Sequence, residues 1–151
     1  MHREEVDFFV NALESVKEEF YLEAINKFKT LIKEFPESEL CDDAEFNIGL
    51  CYFNMIQFGK AIESFEKVIY TYPDSTISIL EGDNEFGKTA AKSYYAIINC
   101  YLAQGNIEIA EMTLEKLDDK KFIDSYIIQN DNKISYLELA KKIIEQYKKN
   151  S

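Results

Sequence analysis

Helix-breaking residues are scarce in this chain: it carries two prolines and five glycines in 151 residues, which suits a mostly helical protein. No apolar run approaches the length of a bilayer span, so no direct membrane insertion is expected. The opening MHREEVDFF is charged and enters a helical pattern at once. It has no apolar core region and no small-residue cleavage site, so no signal peptide is expected. A cytoplasmic location follows, or a periplasmic one if a leader precedes this chain.

Catalytic and metal-binding residue types are equally thin. His2 is the only histidine, at a terminus expected to fray, so histidine acid–base chemistry has no candidate. The three cysteines, Cys41, Cys51 and Cys100, are odd in number and form no CxxC. They read as small buried hydrophobes in a reducing compartment. There is no GxSxG, no P-loop and no HExxH. The acid pairs Asp42-Asp43 and Asp118-Asp119 are adjacent on helices and point different ways. The residues give no catalytic site, no cofactor and no metal, and the chain is read as a non-enzyme.

Basic residues are outnumbered, 17 against 28 acidic, for a net charge of −11. That balance disfavours nucleic acid, whose binding depends on Lys and Arg neutralising phosphates. It also disfavours anionic membranes. It permits a basic partner, and it serves solubility.

What is present is a repeat. Ala24-Ile25, Phe28, Leu31 and Phe35-Pro36 recur 37 places later as Ala61-Ile62, Phe65, Val68 and Tyr72-Pro73. A third copy, Ile109-Ala110, Leu114 and Leu117, follows after a further 49 places and lacks the proline. Such a period means stacked helix pairs, each too small to bury its own apolar face.

The spacing predicts helix pairs at 4–18 and 21–34, 40–54 and 58–72, and 88–103 and 107–117. Pro36 and Pro73 end the second helices, Ser38 is read as an N-cap, and Gly59 and Gly105 mark turns. Gly49 in mid-helix signals a close helix–helix approach. The third copy is 12 residues late, so 74–87 is expected to be a long loop with a short turn near Ile77 to Leu80. Its acids Glu81, Asp83 and Glu85, with Asn84, read as solvated. A short irregular or helical stretch is expected at 121–129. Asp131-Asn132 is read as the start of a last helix over 133–149, with Ile134, Leu137, Ala140, Ile143, Ile144 and Tyr147 inward, capping the array.

These residues resemble the tetratricopeptide repeat. The small contact residues are Ala12, Ala24, Gly49, Ala61 and Ala110. The large packing residues include Phe8, Phe28, Ile48, Tyr52, Phe65, Tyr94, Tyr101 and Leu114. The resemblance covers about residues 5 to 122, with repeats at about 4–36, 40–73 and 88–122 in a single domain. It implies an all-α fold, an α-solenoid of antiparallel helix pairs with a C-terminal capping helix. The 37-residue spacing resembles the subgroup of bacterial envelope proteins that includes the lipoprotein of outer-membrane β-barrel assembly and the periplasmic partner of the Tol-Pal system.

In that family the first helices of the pairs line a concave peptide-binding groove. The resemblance places Phe9, Leu13 and Val16, then Phe46, Asn47, Leu50, Phe53 and Asn54, then Lys92, Tyr95 and Asn99 on this lining. The chaperone-binding subfamily clamps a C-terminal carboxylate with Lys and Asn here. Phe9 and Leu13 occupy two of those positions and Ala96 another, so no such clamp is expected. The apolar lining suits a hydrophobic or amphipathic segment of another protein. The alternative is a structural subunit whose exposed face self-associates into a homo-oligomer such as a homodimer, with no peptide ligand.

Overall fold

The computed structural model describes residues 3–151. His2 lies outside them. Seven helices, α1 (Arg3–Lys17), α2 (Tyr21–Glu34), α3 (Cys41–Asn54), α4 (Phe58–Thr71), α5 (Thr89–Ala103), α6 (Ile107–Leu117) and α7 (Tyr136–Lys149), follow one another along the chain. Each of the first six packs on its sequence neighbours, α3 also touches α5, and α7 closes the end against α5 and α6. This is an all-α solenoid of antiparallel pairs. α1, α3 and α5 make its inner wall, and α2, α4 and α6 its outer one.

The pairs are built alike. Within each pair the first helix ends on a left-handed residue: Glu19 (φ 63°), Ile56 (φ 61°) and Gly105 (φ 77°). The next amide reaches back to the helix, Phe20 N to Ser15 O, Gln57 N to Tyr52 O and Asn106 N to Tyr101 O, at 2.8, 2.9 and 2.8 Å. That is the Schellman closure, which satisfies carbonyls the helix leaves open. The second turn therefore closes at Ile56, and Gly59 sits inside α4 with open space around it. α2 and α4 stop at Phe35 and Tyr72, one residue before Pro36 and Pro73. Ser38 is not the N-cap of α3. Leu40 holds that position, while the Ser38 hydroxyl accepts from the Leu40 amide and donates to Glu5.

The core has two parts. One gathers Phe9, Ala12, Phe28, Leu31, Leu40, Ala44 and Ile48. The other runs from Phe46 and Phe65 through Ile98 and Leu102 to Ala140 and Ile144. Gly49 lets Phe65 in: a Cβ there would lie 2.5 Å from the ring. The three cysteines are free and buried. Burial pushes the Cys51 and Cys100 thiols up to about 12.

A small sheet departs from the helical pattern. β1 (Glu85–Phe86), β2 (Tyr126–Gln129) and β3 (Asn132–Ser135) lie antiparallel in that order, with Glu85 opposite Ile127 and Gln129 opposite Asn132. The stretch read as irregular at 121–129 is thus a 3₁₀ turn followed by a strand. Asn130 (φ 52°) and Asp131 (φ 66°) are both left-handed, as a two-residue type I′ hairpin turn requires. Asp131 therefore closes a hairpin turn and Asn132 opens β3, instead of the two starting a helix. α7 starts after Ser135, which forms a reciprocal capping box with Glu138.

Candidate functional site

The site is built from the inner wall upward. Asp43 and Asn47 stand one turn apart on α3, with Leu50 and Asn54 further along the same face. Lys92 faces them from α5. The insert between α4 and α5 lies over this half of the wall. A single 3₁₀ turn at Ile79–Glu81, capped by Ser78, brings the Ser78 amide to Asp43 Oδ1 at 3.1 Å. Glu81 accepts from Asn47 Nδ2. Leu80 packs on the first core cluster, and Ile77 is buried in the second. Glu85, on β1, pairs with Lys92 at 2.9 Å, and the Lys92 ammonium sits 4.3 Å from the centre of the Phe46 ring.

The strap is tied down behind. Ile77 N donates to Gly87 O and Thr89 N to Ser75 O. Lys88 N donates to Ser125 Oγ at 2.9 Å, and Ile128 N to Asn84 O at 2.8 Å. The sheet thereby joins the insert to the hairpin that precedes α7. Tyr136, the first residue of α7, donates to Glu85 at 3.4 Å. Burial, and then the Glu85 charge, hold its phenol in the protonated form.

Three acids meet here, Asp42 and Asp43 on α3 and Glu81 on the insert. Asp42 accepts from Thr89 Oγ1 at 2.5 Å. Asp43 Oδ2 is buried without a partner. Loss of solvent pushes both carboxyls well above the usual range, and the Asp42 charge pushes Asp43 further. Glu81 is also raised by burial, against the pull of Lys92 and Asn47. Raised carboxyls side by side have the chemistry of an acid–base pair. Here they are sealed: Asp42 and Asp43 are each 1 % exposed. The neighbouring furrow of about 410 Å³ is lined by Leu40 and the strap residues Asp74–Ile79, and by neither aspartate. What the arrangement does is latch the strap to the wall.

The eleven expected lining residues divide accordingly. Phe9, Phe46, Asn47 and Lys92 are buried by the chain itself. Phe9 meets Phe28 edge-on, and Phe46 leans on Phe65. They line no open groove, because the strap and the core occupy their surroundings. Leu13, Val16, Leu50, Phe53, Tyr95 and Asn99 are half-buried, and Asn54 is exposed. Phe53 packs on Phe58, and Tyr95 on Tyr136. Asn99 Nδ2 is engaged by the Tyr95 carbonyl. The strap's bonds to the wall fall on Asp43, Asn47 and Lys92, and none of them reaches Leu13, Val16, Leu50, Phe53, Asn54 or Asn99.

Sequence reasoning missed the strap as an occupant. It also missed Asp42, Asp43, Thr89 and Glu81 as its anchors. Glu81 and Glu85 are half-buried and bonded, not solvated, while Asp83 and Asn84 are exposed. One signal was available: Ser78-Ile79-Leu80-Glu81 places an apolar residue beside an acid, the pair that the wall takes up.

Residues 43–75 match a tetratricopeptide repeat family model. No curated protein matches the chain in sequence. Among solved structures, the chain is similar to the Yersinia enterocolitica type III secretion chaperone SycD in complex with a peptide of the translocator YopD. Identity is 15%, the TM-score 0.64, and 99% of this chain and 96% of that one are covered. It is also similar to PcrH in complex with the chaperone binding region of PopD, at 11% identity and a TM-score of 0.60, over 99% and 96% of the two chains. The tetratricopeptide domain of Arabidopsis FLU aligns at 15% identity and a TM-score of 0.57, over 76% and 92%. The likeness is one of fold. Among the described residues no helix is long and apolar enough to cross a membrane.

Proposed function

We propose that this protein is an interaction scaffold that holds a hydrophobic or amphipathic segment of another protein on its inner wall. The ligand lies across Leu13, Val16, Leu50 and Phe53, with Asn54 and Asn99 at its polar edge. The observation that carries the reading is the strap. One half of the wall already takes a chain segment, through Leu80 in an apolar seat and Glu81 on Asn47. The other half presents Leu13, Val16, Leu50 and Phe53, each half-buried. Extended or helical peptides use such walls by burying alternate or stripe-forming apolar side chains. Two of the similar folds carry a peptide or a binding region of a partner in their crystals. The 37-residue period supports a repeat of the bacterial envelope subtype.

The test is selection of displayed peptides on the intact chain, followed by titration. Peptides rich in apolar residues are expected, and Leu50→Ala with Phe53→Ala weakens them about tenfold or more, as loss of buried apolar anchors does. Peptides that bind both forms equally, or none at all, overturn the reading.

A further inference from the structure

The outer wall carries two furrows at equivalent places in successive repeats. The first lies between α2 and α4 and encloses about 400 Å³ over Ile48 and Tyr52 of α3. The second lies between α4 and α6 over Ile97 and Tyr101 of α5. Ile48 and Tyr52 of the first floor recur 49 places on as Ile97 and Tyr101, while Glu45 becomes Tyr94. On the rims Lys67 recurs as Lys116, and the other three lysines do not recur. Lys29 and Lys33 of α2 become Glu66 and Tyr70, 37 places on, and Lys60 of α4 becomes Ile109, 49 places on. The fold therefore does not require lysine at these positions.

The first furrow gathers Lys29, Lys33, Lys60 and Lys67, four of the chain's 17 basic residues, in a protein of net charge −11. All four are exposed. Among the described residues the ion pairs are Lys88–Asp74, Lys92–Glu85 and Lys148–Glu111, so none of the four has a carboxylate within 4.0 Å. The floor is apolar, with Ile32, Ile48 and Tyr52, and Lys60 lies 5.6 Å from the Tyr52 ring centre. Buried Glu45 completes the floor, and exposed Glu63 stands among the four lysines on the rim. The floor carboxylate turns away a bare anion seated deep in the furrow. It leaves room for apolar side chains below and negative charge along the rims.

We infer that the α2–α4 furrow is a second docking surface, separate from the inner wall, which takes an acidic amphipathic segment of a partner protein. Charge complementarity selects the occupant: opposite signs across an interface steer encounter and fix register, and the apolar floor supplies burial.

The probe is a synthetic helical peptide of glutamate and leucine, leucines on one face, titrated into the isotope-labelled chain at low and moderate salt. A glutamine-for-glutamate peptide serves as the neutral control. The expected result is shifts at Ile32, Tyr52 and Lys60. Affinity falls about tenfold in the Lys33→Glu/Lys60→Glu variant and with the glutamine peptide, as removal of complementary charges does. Lys33→Arg/Lys60→Arg retains binding, which separates charge from folding. Equal weakening by Lys141→Glu/Lys142→Glu, on α7, overturns the inference as nonspecific attraction. So do shifts confined to Leu13, Leu50 and Phe53. A dimer mass in light scattering that Lys33→Glu/Lys60→Glu abolishes also overturns it, since the occupant is then a second copy.

Discussion

Gly49 and Phe65 face each other across α3 and α4 so closely that a Cβ on Gly49 would lie 2.5 Å from Cε1 of the ring. The equivalent positions are Ala12 and Phe28 in the first pair and Ile98 and Leu114 in the third. The volume moves between the two helices from repeat to repeat, while the packing density of the interior has to hold. Gly49→Ala is therefore expected to destabilise the fold by about 1–3 kcal/mol, the cost of overpacking a filled core. Urea denaturation checks it. Phe65→Leu in the same chain returns part of the loss; if Gly49→Ala is neutral or stabilising, the contact does not limit packing.

Ile56 is a β-branched residue held at φ 61° and 75 % exposed. Its counterpart in the third pair is Gly105, for which that conformation is free. Left-handed backbone costs an L-residue about 1–2 kcal/mol. Ile56→Gly is expected to stabilise the chain by about 1 kcal/mol, since little apolar burial is lost with it. A thermal or urea midpoint that falls contradicts this.

The buried aspartates set a pH dependence. Both start from an ordinary 3.8 and are raised by burial, Asp43 further by the Asp42 charge. A raised acid binds more protons folded than unfolded, so stability decreases with pH in the interval between the two values. The contribution is complete below 3.8 and is lost as pH rises through the raised values. Asp43→Asn keeps an acceptor for the Ser78 amide and removes the charge. It is expected to flatten that decline and to add roughly 1–2 kcal/mol at pH 7.5, far above the ordinary aspartate value, where keeping the buried carboxyl protonated costs free energy. Denaturation midpoints measured from pH 4 upward decide it; parallel curves for the two proteins refute the assignment.

Gly87 ties the strap to the hairpin. It stands at φ 103°, and a Cβ there would lie 2.4 Å from the Ser125 Cα. Gly87→Ala is expected to part β1 from β2 at a cost of about 2 kcal/mol or more. Amide exchange at Ile77 and Ile128, bonded to Gly87 O and Asn84 O, then speeds up while the helices keep their circular dichroism. Unchanged exchange at both amides means the strap is held elsewhere.

How much of this was legible in the residues varies with distance along the chain. The helix pairs were, because their apolar stripes recur every three or four residues and each helix packs mainly on its neighbours in sequence. Gly49 was legible for the same reason, as a cost in helix propensity that close packing explains. The hairpin was not: Tyr126-Ile127-Ile128 and Ile134 carry strand-forming residues, but Asn and Asp serve equally as turn residues and as helix starts. Of the residues expected to line a groove, Leu13, Val16, Leu50 and Phe53 are half-buried, whereas Phe9, Phe46, Asn47 and Lys92 are closed off by contacts the periodicity does not carry.

The sequence by itself determined the solenoid, since local periodicity dictates which face each helix must bury. Only the tertiary structure decided where the 74–87 insert lies and which wall residues it bonds. Those contacts, Asp43 with Ser78 and Asn47 with Glu81, join residues 35 and 34 positions apart. Their partners are chosen by shape and charge in space, and no spacing along the chain encodes them.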